Sequence, residues 1–276
     1  MRGPAGRVSP SIGCDGRRER RTQGEAIAQP MASTEDALSR RPAQPSDMAA
    51  RGRSGLRLVV KVGGAVAAES ASRILGLREE GHEVVVVHGA GPQITDEMKR
   101  RGIPVEFVGG RRRTSRAALD VVRESMAEVN ADLCAALGDA AVPVFGDRAG
   151  FLAVPVPPLG WVGDPLPCRP KPILAALAGG RVPVLAPIAV GPLNVNADDA
   201  AAALALGLGA KRLVFLTDVP GLYVEGDLVD SIGAGHATAM LDEGRFEGGI
   251  VPKLRAAALA AGSGITAEIG RTAVVA

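Results

Sequence analysis

Two lysines far apart in the chain each stand beside a pair of glycines, and an acidic helix start lies between them. Lys61 follows the apolar run Leu58-Val59-Val60 and precedes Val62-Gly63-Gly64, whereas Lys253 follows Gly248-Gly249-Ile250-Val251-Pro252. Between them comes Asn194-Val195-Asn196-Ala197-Asp198-Asp199. Two cations and a carboxylate set where glycine opens the backbone suit the holding of a phosphoryl group in transit. That reaction passes through a loose transition state, so its catalysis is mostly positioning and charge neutralisation. Gly63 and Gly64 would let backbone N–H groups approach phosphate oxygens. Lys253, near a helix start, would add the anion-favouring end of a helix dipole. Each feature also has a plainer reading. A strand-end lysine reaching for water resembles Lys61, and an ordinary surface lysine resembles Lys253. Asp198 and Asp199 stabilise a first helical turn whatever else they do, with Asn196 as N-cap.

Other residues extend or limit this chemistry. In Arg111-Arg112-Arg113-Thr114 one guanidinium could grip a carboxylate bidentately, or the run is a solvated basic turn. His88 reads as a packed strand-end residue ahead of an acid or base. Thr217-Asp218-Val219-Pro220-Gly221 ends an apolar run and either lines a nucleotide pocket or simply turns the chain. There is no G-x-x-x-x-G-K-[ST], and Gly89-Ala90-Gly91 is followed by Ile94 where a dinucleotide fingerprint needs a small residue. His82, His88 and His236 are scattered, so neither a zinc hydrolase nor a Ser-His-Asp enzyme finds support, and no metal ligands are assigned.

These residues need elements to hold them. Leu56–Val62 and Glu83–His88 are near-continuous apolar runs, as in strands buried on both faces. Further strands are expected at Val142–Phe145, Arg181–Pro187, Arg212–Thr217 and Thr266–Ile269, the last shortly before the C-terminus. Leu119, Val122, Met126, Val129, Leu133 and Leu137 recur at three- and four-residue steps, which predicts a long amphipathic helix. Residues 146–170 are rich in Gly and Pro and suit a hairpin or flap over a site. Strands alternating with helical stretches predict an α/β layered fold around a largely parallel sheet. Ligands of such sheets bind beyond the carboxyl ends of the strands, where the glycine turns of this chain fall.

Composition narrows the partners. The first 55 residues carry ten Arg against six acidic residues, a net of +4, while the whole chain is only +2. The remainder is therefore net negative, which argues against nucleic acid. Residues 1–55 lack apolar periodicity and read as a disordered tail, with Met31 and Met48 as alternative starts. Cys14, Cys134 and Cys168 show no metal spacing and are odd in number, which fits a reducing compartment. With no apolar run of membrane-spanning length and no signal-peptide core, a cytoplasmic protein without a membrane partner is expected.

The order of the motifs carries more than any one of them. Lys61-x-Gly63-Gly64, His88-Gly89-Ala90-Gly91-Pro92, Gly110-x-Arg112-x-Thr114, Asn194-Val195-Asn196-Ala197-Asp198, Leu216-Thr217-Asp218-Val219-x-Gly221, then Gly248-Gly249 with Lys253, resemble the amino acid kinase family from Leu56 to Ala276. The resemblance is strongest to those members that phosphorylate the side-chain carboxylate of N-acetyl-L-glutamate in arginine synthesis. It implies a three-layer α/β/α sandwich around a mainly parallel sheet, with an acceptor-binding lobe over 56–190 and a nucleotide-binding lobe over 191–276. It also implies that Lys61 and Lys253 neutralise the transferring phosphoryl group while Asp198 holds both. Ala90, Gly91, Arg112 and Asn194 would bind the acceptor, and Gly63, Gly64, Asp218, Val219 and Gly221 the nucleotide. ATP would arrive with Mg2+ held mainly by its own phosphates, and a homo-oligomer, a dimer first, is implied.

Three departures stand out. Ala90 occupies the middle of a loop that is usually three glycines, Ser115 stands where Asp is common, and Arg111 and Arg113 replace apolar residues. The alternatives are a kinase of the same fold acting on a carrier-protein-bound aminoadipate or glutamate, for which the three arginines would be a docking surface, and a binding protein that has lost turnover.

Overall fold

The structure is a computed structural model that describes residues 55–63 and 67–276. The tail expected over residues 1–55 lies outside the described residues up to residue 54, as does Gly64. Eight strands form one sheet: β1 (Arg57–Val62), β2 (Glu83–His88), β3 (Ala141–Phe145), β4 (Val182–Ala186), β5 (Arg212–Leu216), β6 (Ser231–Gly233), β7 (Thr266–Ile269) and β8 (Thr272–Val275). Their order is β6-β8-β7-β5-β1-β2-β4-β3, and every neighbouring pair is parallel except β7 with β8. The expected three-layer sandwich around a mainly parallel sheet is what the chain forms.

Alternation along the strands decides which helices each side chain meets. Val60, Val62, Val84, Val86, Val182, Val184, Val214 and Leu216 cluster with Ile74 of α1 (Ala67–Glu79) and Leu133 and Leu137 of α3 (Arg116–Leu137). Helix α2 (Gly91–Arg100) packs on α3 through Ile94, Met98, Val122 and Met126. Val59, Val85, Val87, Leu185, Leu213 and Phe215 face the other way. There they meet α4 (Lys171–Ala178), α5 (Ala197–Leu208), α6 (Ala234–Asp242) and α7 (Ile250–Gly262). Lys61 has the parity of Val59, so it is directed to the α5 and α7 side. With few aromatics available, α5 and α7 pack through alanines, among them Ala200, Ala201, Ala257 and Ala261, all at most 1% exposed. Small side chains let the two helices approach closely, and that approach brings their first turns together.

The register of the parallel strands aligns their carboxyl ends. Val62 pairs with His88 on one side and Leu216 on the other, so the loops after β1, β2 and β5 leave the sheet at one edge. Residues 146–170 form the expected hairpin, Ala153–Pro155 against Gly163–Pro165, closed by a 3-10 turn at Pro157–Leu159. The C-terminal expectation is corrected. Thr266–Ile269 is not the last strand, because Gly270 takes φ of 57° and turns the chain back into β8. A short loop with a glycine in the left-handed region is a hairpin signal, and it sits in Ile269-Gly270-Arg271-Thr272. The edge strand β6 and the hairpin Leu222–Val224 with Asp227–Val229 were also outside the expected set.

Candidate active site

Asp198 opens α5. Asn196 caps that helix as expected, its Oδ1 accepting from Asp198 N at 2.8 Å and Asp199 N at 3.1 Å. The cap fixes the first turn, so the Asp198 carboxylate is carried on a rigid helix end. Lys61 Nζ lies 2.9 Å from Asp198 Oδ1, and Lys253 Nζ lies 3.6 Å from the same oxygen. Lys253 sits in the first turn of α7 with its ammonium 6.0 Å from the Phe215 ring centre. Burial pulls its pKa below the usual lysine range, an effect that Lys61 reinforces and Asp198 opposes. One carboxylate therefore holds two ammoniums where little water reaches them. The three residues singled out for phosphoryl transfer are brought together at the carboxyl edge of the sheet.

Beside them lies a cavity of about 200 Å³ lined by Lys61, Gly89, Ala90, Gly91, Arg112, Asn194 and Asp198, with Ile94, Phe107, Met126 and Val162 as its apolar members. Arg112 is only 7% exposed. Its Nη2 donates to Thr95 Oγ1 at 2.7 Å and to Gly91 O at 3.2 Å, and its guanidinium lies 4.6 Å from the Phe107 ring centre. Among the described residues it pairs with no carboxylate, and burial alone pulls its pKa below the usual arginine range. A buried guanidinium without a counter-ion is costly to keep. It is the group that an anionic ligand would satisfy, and it stands in a cavity open to one.

Its neighbours in sequence behave differently. Arg111 meets Asp164 and Asp199, and Arg113 lies 3.4 Å from Glu106, so neither extends a free basic patch. Asn194 Nδ2 donates to Thr114 Oγ1 at 3.0 Å, and Thr114 Oγ1 donates to the carbonyl of Arg112. This chain ties the asparagine to the arginine strand. Ser115 caps α3 by accepting from Ala118 N at 3.2 Å, a task open equally to aspartate, which accounts for the exchange at that position. Ala90 takes φ of −140°, allowed to any residue, and its side chain is buried among Ile94, Met126 and Ile188. The alanine in the glycine loop therefore imposes no backbone strain.

His88 ends β2 fully buried. Asn130 Nδ2 donates to Val184 O at 2.9 Å and lies 3.1 Å from His88 Nε2, so the ring nitrogen acts as acceptor. Burial lowers its pKa to about 4. It is a neutral packed residue, in line with the plainer reading.

On the other side of β1, a second cavity of about 230 Å³ is lined by Ser70, Arg73, Phe215, Leu216, Thr217, Asp218 and Gly270. Of the residues singled out for a nucleotide, Asp218 lines it. Val219 is 38% exposed outside the lining, and Gly63 is half-buried at the end of β1. Gly221 serves packing: a Cβ there would fall 2.6 Å from Thr272 Oγ1 and 2.8 Å from Leu228 Cδ1. Ile94, Phe107, Met126 and Val162 around the first cavity, and Thr95 behind Arg112, were not foreseen. Met126 belongs to the core spacing of α3, whereas Phe107, 54% exposed, and Thr95 carry no such signal.

The comparisons with known proteins agree with this geometry. The model of the amino acid kinase family matches residues 56–271. An acetylglutamate kinase of Rubrobacter xylanophilus is 42% identical over 221 residues, spanning 77% of this chain and 87% of that protein. One of Geobacillus kaustophilus is 37% identical over 218 residues, 74% of this chain and 84% of the other. Among solved structures, smu.665 of Streptococcus mutans UA159 superposes with a TM-score of 0.71 at 26% identity, covering 79% of this chain and 98% of that one. The family match runs from the first strand of the sheet to the turn before the last and takes in both lysines, their shared aspartate and both cavities: this chain belongs to the amino acid kinase family.

Proposed function

We propose that the chain transfers the γ-phosphoryl group of ATP to the side-chain carboxylate of N-acetyl-L-glutamate, giving N-acetyl-L-glutamyl 5-phosphate and ADP, a step of arginine biosynthesis. The observation that carries this reading is the pair Lys61 and Lys253 on one oxygen of Asp198, beside a cavity holding the unpaired guanidinium of Arg112. The relatives named above support the choice of acceptor.

In this reading the α-carboxylate of the acceptor meets Arg112, and Asn194 and the backbone of Gly91 receive its amide. The reacting carboxylate then points toward Lys61. With a free pKa near about 4.3 it is already ionised at neutral pH, so no general base is needed. A carboxylate oxygen attacks the γ-phosphorus as the bond to the β-bridging oxygen breaks, and ADP leaves with that electron pair. Lys61 and Lys253 neutralise charge on the equatorial oxygens, where fixed cations act most strongly because little solvent screens them. Asp198 keeps the two ammoniums apart yet close and touches neither reactant. The nucleotide would enter by the cavity at Asp218.

Mg2+ accompanies ATP in phosphoryl transfer as a rule. Among the described residues no group of three or more His, Cys, Asp or Glu side chains could hold a metal ion, and Asp198 is engaged by two lysines. The ion would therefore ride on the triphosphate, and no step above depends on a protein ligand to it. The division into an acceptor lobe over 56–190 and a nucleotide lobe over 191–276, a dimeric state and a cytoplasmic location belong to the same reading. Among the described residues no helix is long and apolar enough to cross a membrane.

The test is ATP consumption with N-acetyl-L-glutamate and magnesium, with hydroxylamine to trap the acyl phosphate, beside glutamate, aspartate and N-acetylaminoadipate. Hydroxamate formed chiefly from N-acetylglutamate is expected. A folded protein that binds ATP and turns over no free amino acid would move the reading to a carrier-bound acceptor, although the ion pairs of Arg111 and Arg113 speak against that surface.

A further inference from the structure

Arg111 stands where the family resemblance leads one to expect an apolar residue, and the structure gives it partners on two other elements. It lies in the short strand Arg111–Arg112, beside the guanidinium assigned to the acceptor. Its Nη1 meets Asp164 in the hairpin strand Gly163–Pro165, and its Nη2 lies 3.5 Å from Asp199 Oδ2 in the first turn of α5. The same hairpin touches the acceptor site through its backbone. Trp161 N donates to Thr114 O at 2.8 Å, and Asn194 N donates to Trp161 O at 2.9 Å. Val162 of the hairpin lines the acceptor cavity, as does Arg111 itself.

Charge explains why this tie matters. Asp164, Asp198 and Asp199 gather at this place, and Asp198 and Asp164 both act on Asp199 as like charges. Asp198 has its two lysines. Among the described residues only Arg111 pairs with both Asp164 and Asp199, while Arg255 acts on Asp199 as a further opposite charge. Without it two carboxylates would face each other across the gap between hairpin and helix, and repulsion would push the hairpin outward. Because Arg111 already meets two carboxylates it is not set to take up the acceptor, unlike Arg112.

We propose that Arg111 is a positioning residue that latches the hairpin 153–165 onto the first turn of the catalytic helix and so sets the closure of the acceptor cavity. The proposal rests on the assignment of that cavity to the acceptor. It concerns the specific architecture of this chain, since the latch needs Arg111, Asp164 and Asp199 together.

The chain has a single tryptophan, and it is Trp161, at the tip of the hairpin. Its emission reports the hairpin directly, whatever the acceptor proves to be. In Arg111→Leu, quenching of Trp161 by acrylamide should rise, and KM for N-acetylglutamate should rise roughly three- to tenfold, with much smaller changes in kcat and in KM for ATP. Adding Asp164→Asn removes the repulsion and should bring both readings back toward the wild type, a non-additive pair. Arg111→Lys keeps one charge without the two-armed reach and should fall between; it serves if Arg111→Leu fails to fold by circular dichroism. Unchanged quenching in Arg111→Leu, or effects of the two substitutions that simply add, would overturn the latch. A fall in kcat with KM and quenching unaltered would overturn it too, by placing Arg111 on the reacting groups. If the wild type turned over no free acceptor, the proposed function would fail while the quenching arm still decided the latch.

Discussion

Lys61 Nζ lies 2.9 Å from Asp198 Oδ1 with the two side chains only 9% and 8% exposed, an ion pair joining the central strand to the start of α5. Lys253 shares that oxygen from α7. Removing the anion leaves two buried ammoniums facing each other, and breaking a buried pair is far more costly than lacking it. Asp198→Asn should therefore lower both kcat and the melting temperature. In the proposed mechanism Lys253 acts mainly in the transition state, so Lys253→Met should lower kcat by about 10²- to 10³-fold with a smaller change in KM. Steady-state kinetics with the hydroxamate trap check both; near-normal kcat in Lys253→Met would remove that lysine from the mechanism.

The pKa of Lys253 is depressed, chiefly by burial. In the proposed mechanism the ammonium is the active form, so activity should fall on the alkaline side at a pH below the ordinary lysine value of 10.5. Lys253→Arg keeps its charge at all accessible pH values and should lose that limb, even at reduced turnover. A pH profile of kcat for the two proteins decides the matter. An alkaline limb unchanged in Lys253→Arg would assign it elsewhere.

Among the described residues the buried Arg112 has no counter-ion, a cost that bound acceptor would offset. Arg112→Met should raise the acceptor KM by roughly 30- to 100-fold, as loss of a charge-assisted contact implies, while ATP binding holds. Because an unpaired buried charge is also removed, the variant should melt no lower than the wild type. A clear drop in melting temperature, measured by calorimetry, would show that the hydrogen bonds to Gly91 and Thr95 outweigh the burial cost.

His88 has a folded-state pKa of about 4 against an ordinary 6.5. Between those values the unfolded chain binds more protons than the folded one, so stability falls as pH drops from about 6.5 toward 4 and is full above that window. The difference corresponds to about 3 kcal/mol at most. Urea midpoints at pH 7.5 and 4.5 should show that loss in the wild type and a smaller one in His88→Gln. Equal losses would mean that acid destabilisation arises at other groups.

Gly160 takes φ of 80°, and a Cβ on it would fall 2.4 Å from Thr114 O. Both the dihedral and the contact exclude a side chain, so Gly160→Ala should cost about 1–3 kcal/mol. The strain falls on Thr114, which holds Asn194, so acceptor KM should rise as well. Thermal melts and kinetics on the same preparation test the link; a destabilised variant with normal KM would separate hairpin from site.

Much of this fold was legible along the chain. The apolar runs Leu56–Val62 and Glu83–His88 marked strands buried on both faces, the three- and four-residue spacing from Leu119 to Leu137 marked α3, and Asn196 marked the start of α5. These signals are local, because helices and strands repeat at fixed periods and caps act within one turn. The last strand was missed because Thr272–Val275 is short and its turn is announced only by Gly270. Gly221 was assigned to the nucleotide because it stands in a motif; that it also packs closely on Thr272 is a contact between segments distant in sequence, which no local pattern shows.

The same division holds at the site. By itself the sequence determined the parity of Lys61 on β1, the glycine turns at strand ends, the capped helix start under Asp198, and an order of motifs shared with the amino acid kinase family. The residues alone left open which of Arg111, Arg112 and Arg113 grips a carboxylate, and only the family resemblance singled out Arg112. Only the tertiary structure put Lys61 and Lys253 on one oxygen, engaged Arg111 with Asp164 and Asp199, and left Arg112 buried without a counter-ion among the described residues. The reason is physical. Periodicity and capping depend on neighbours a few residues away, whereas the charge state of a site depends on groups that sheet order and close alanine packing bring together from the whole length of the chain.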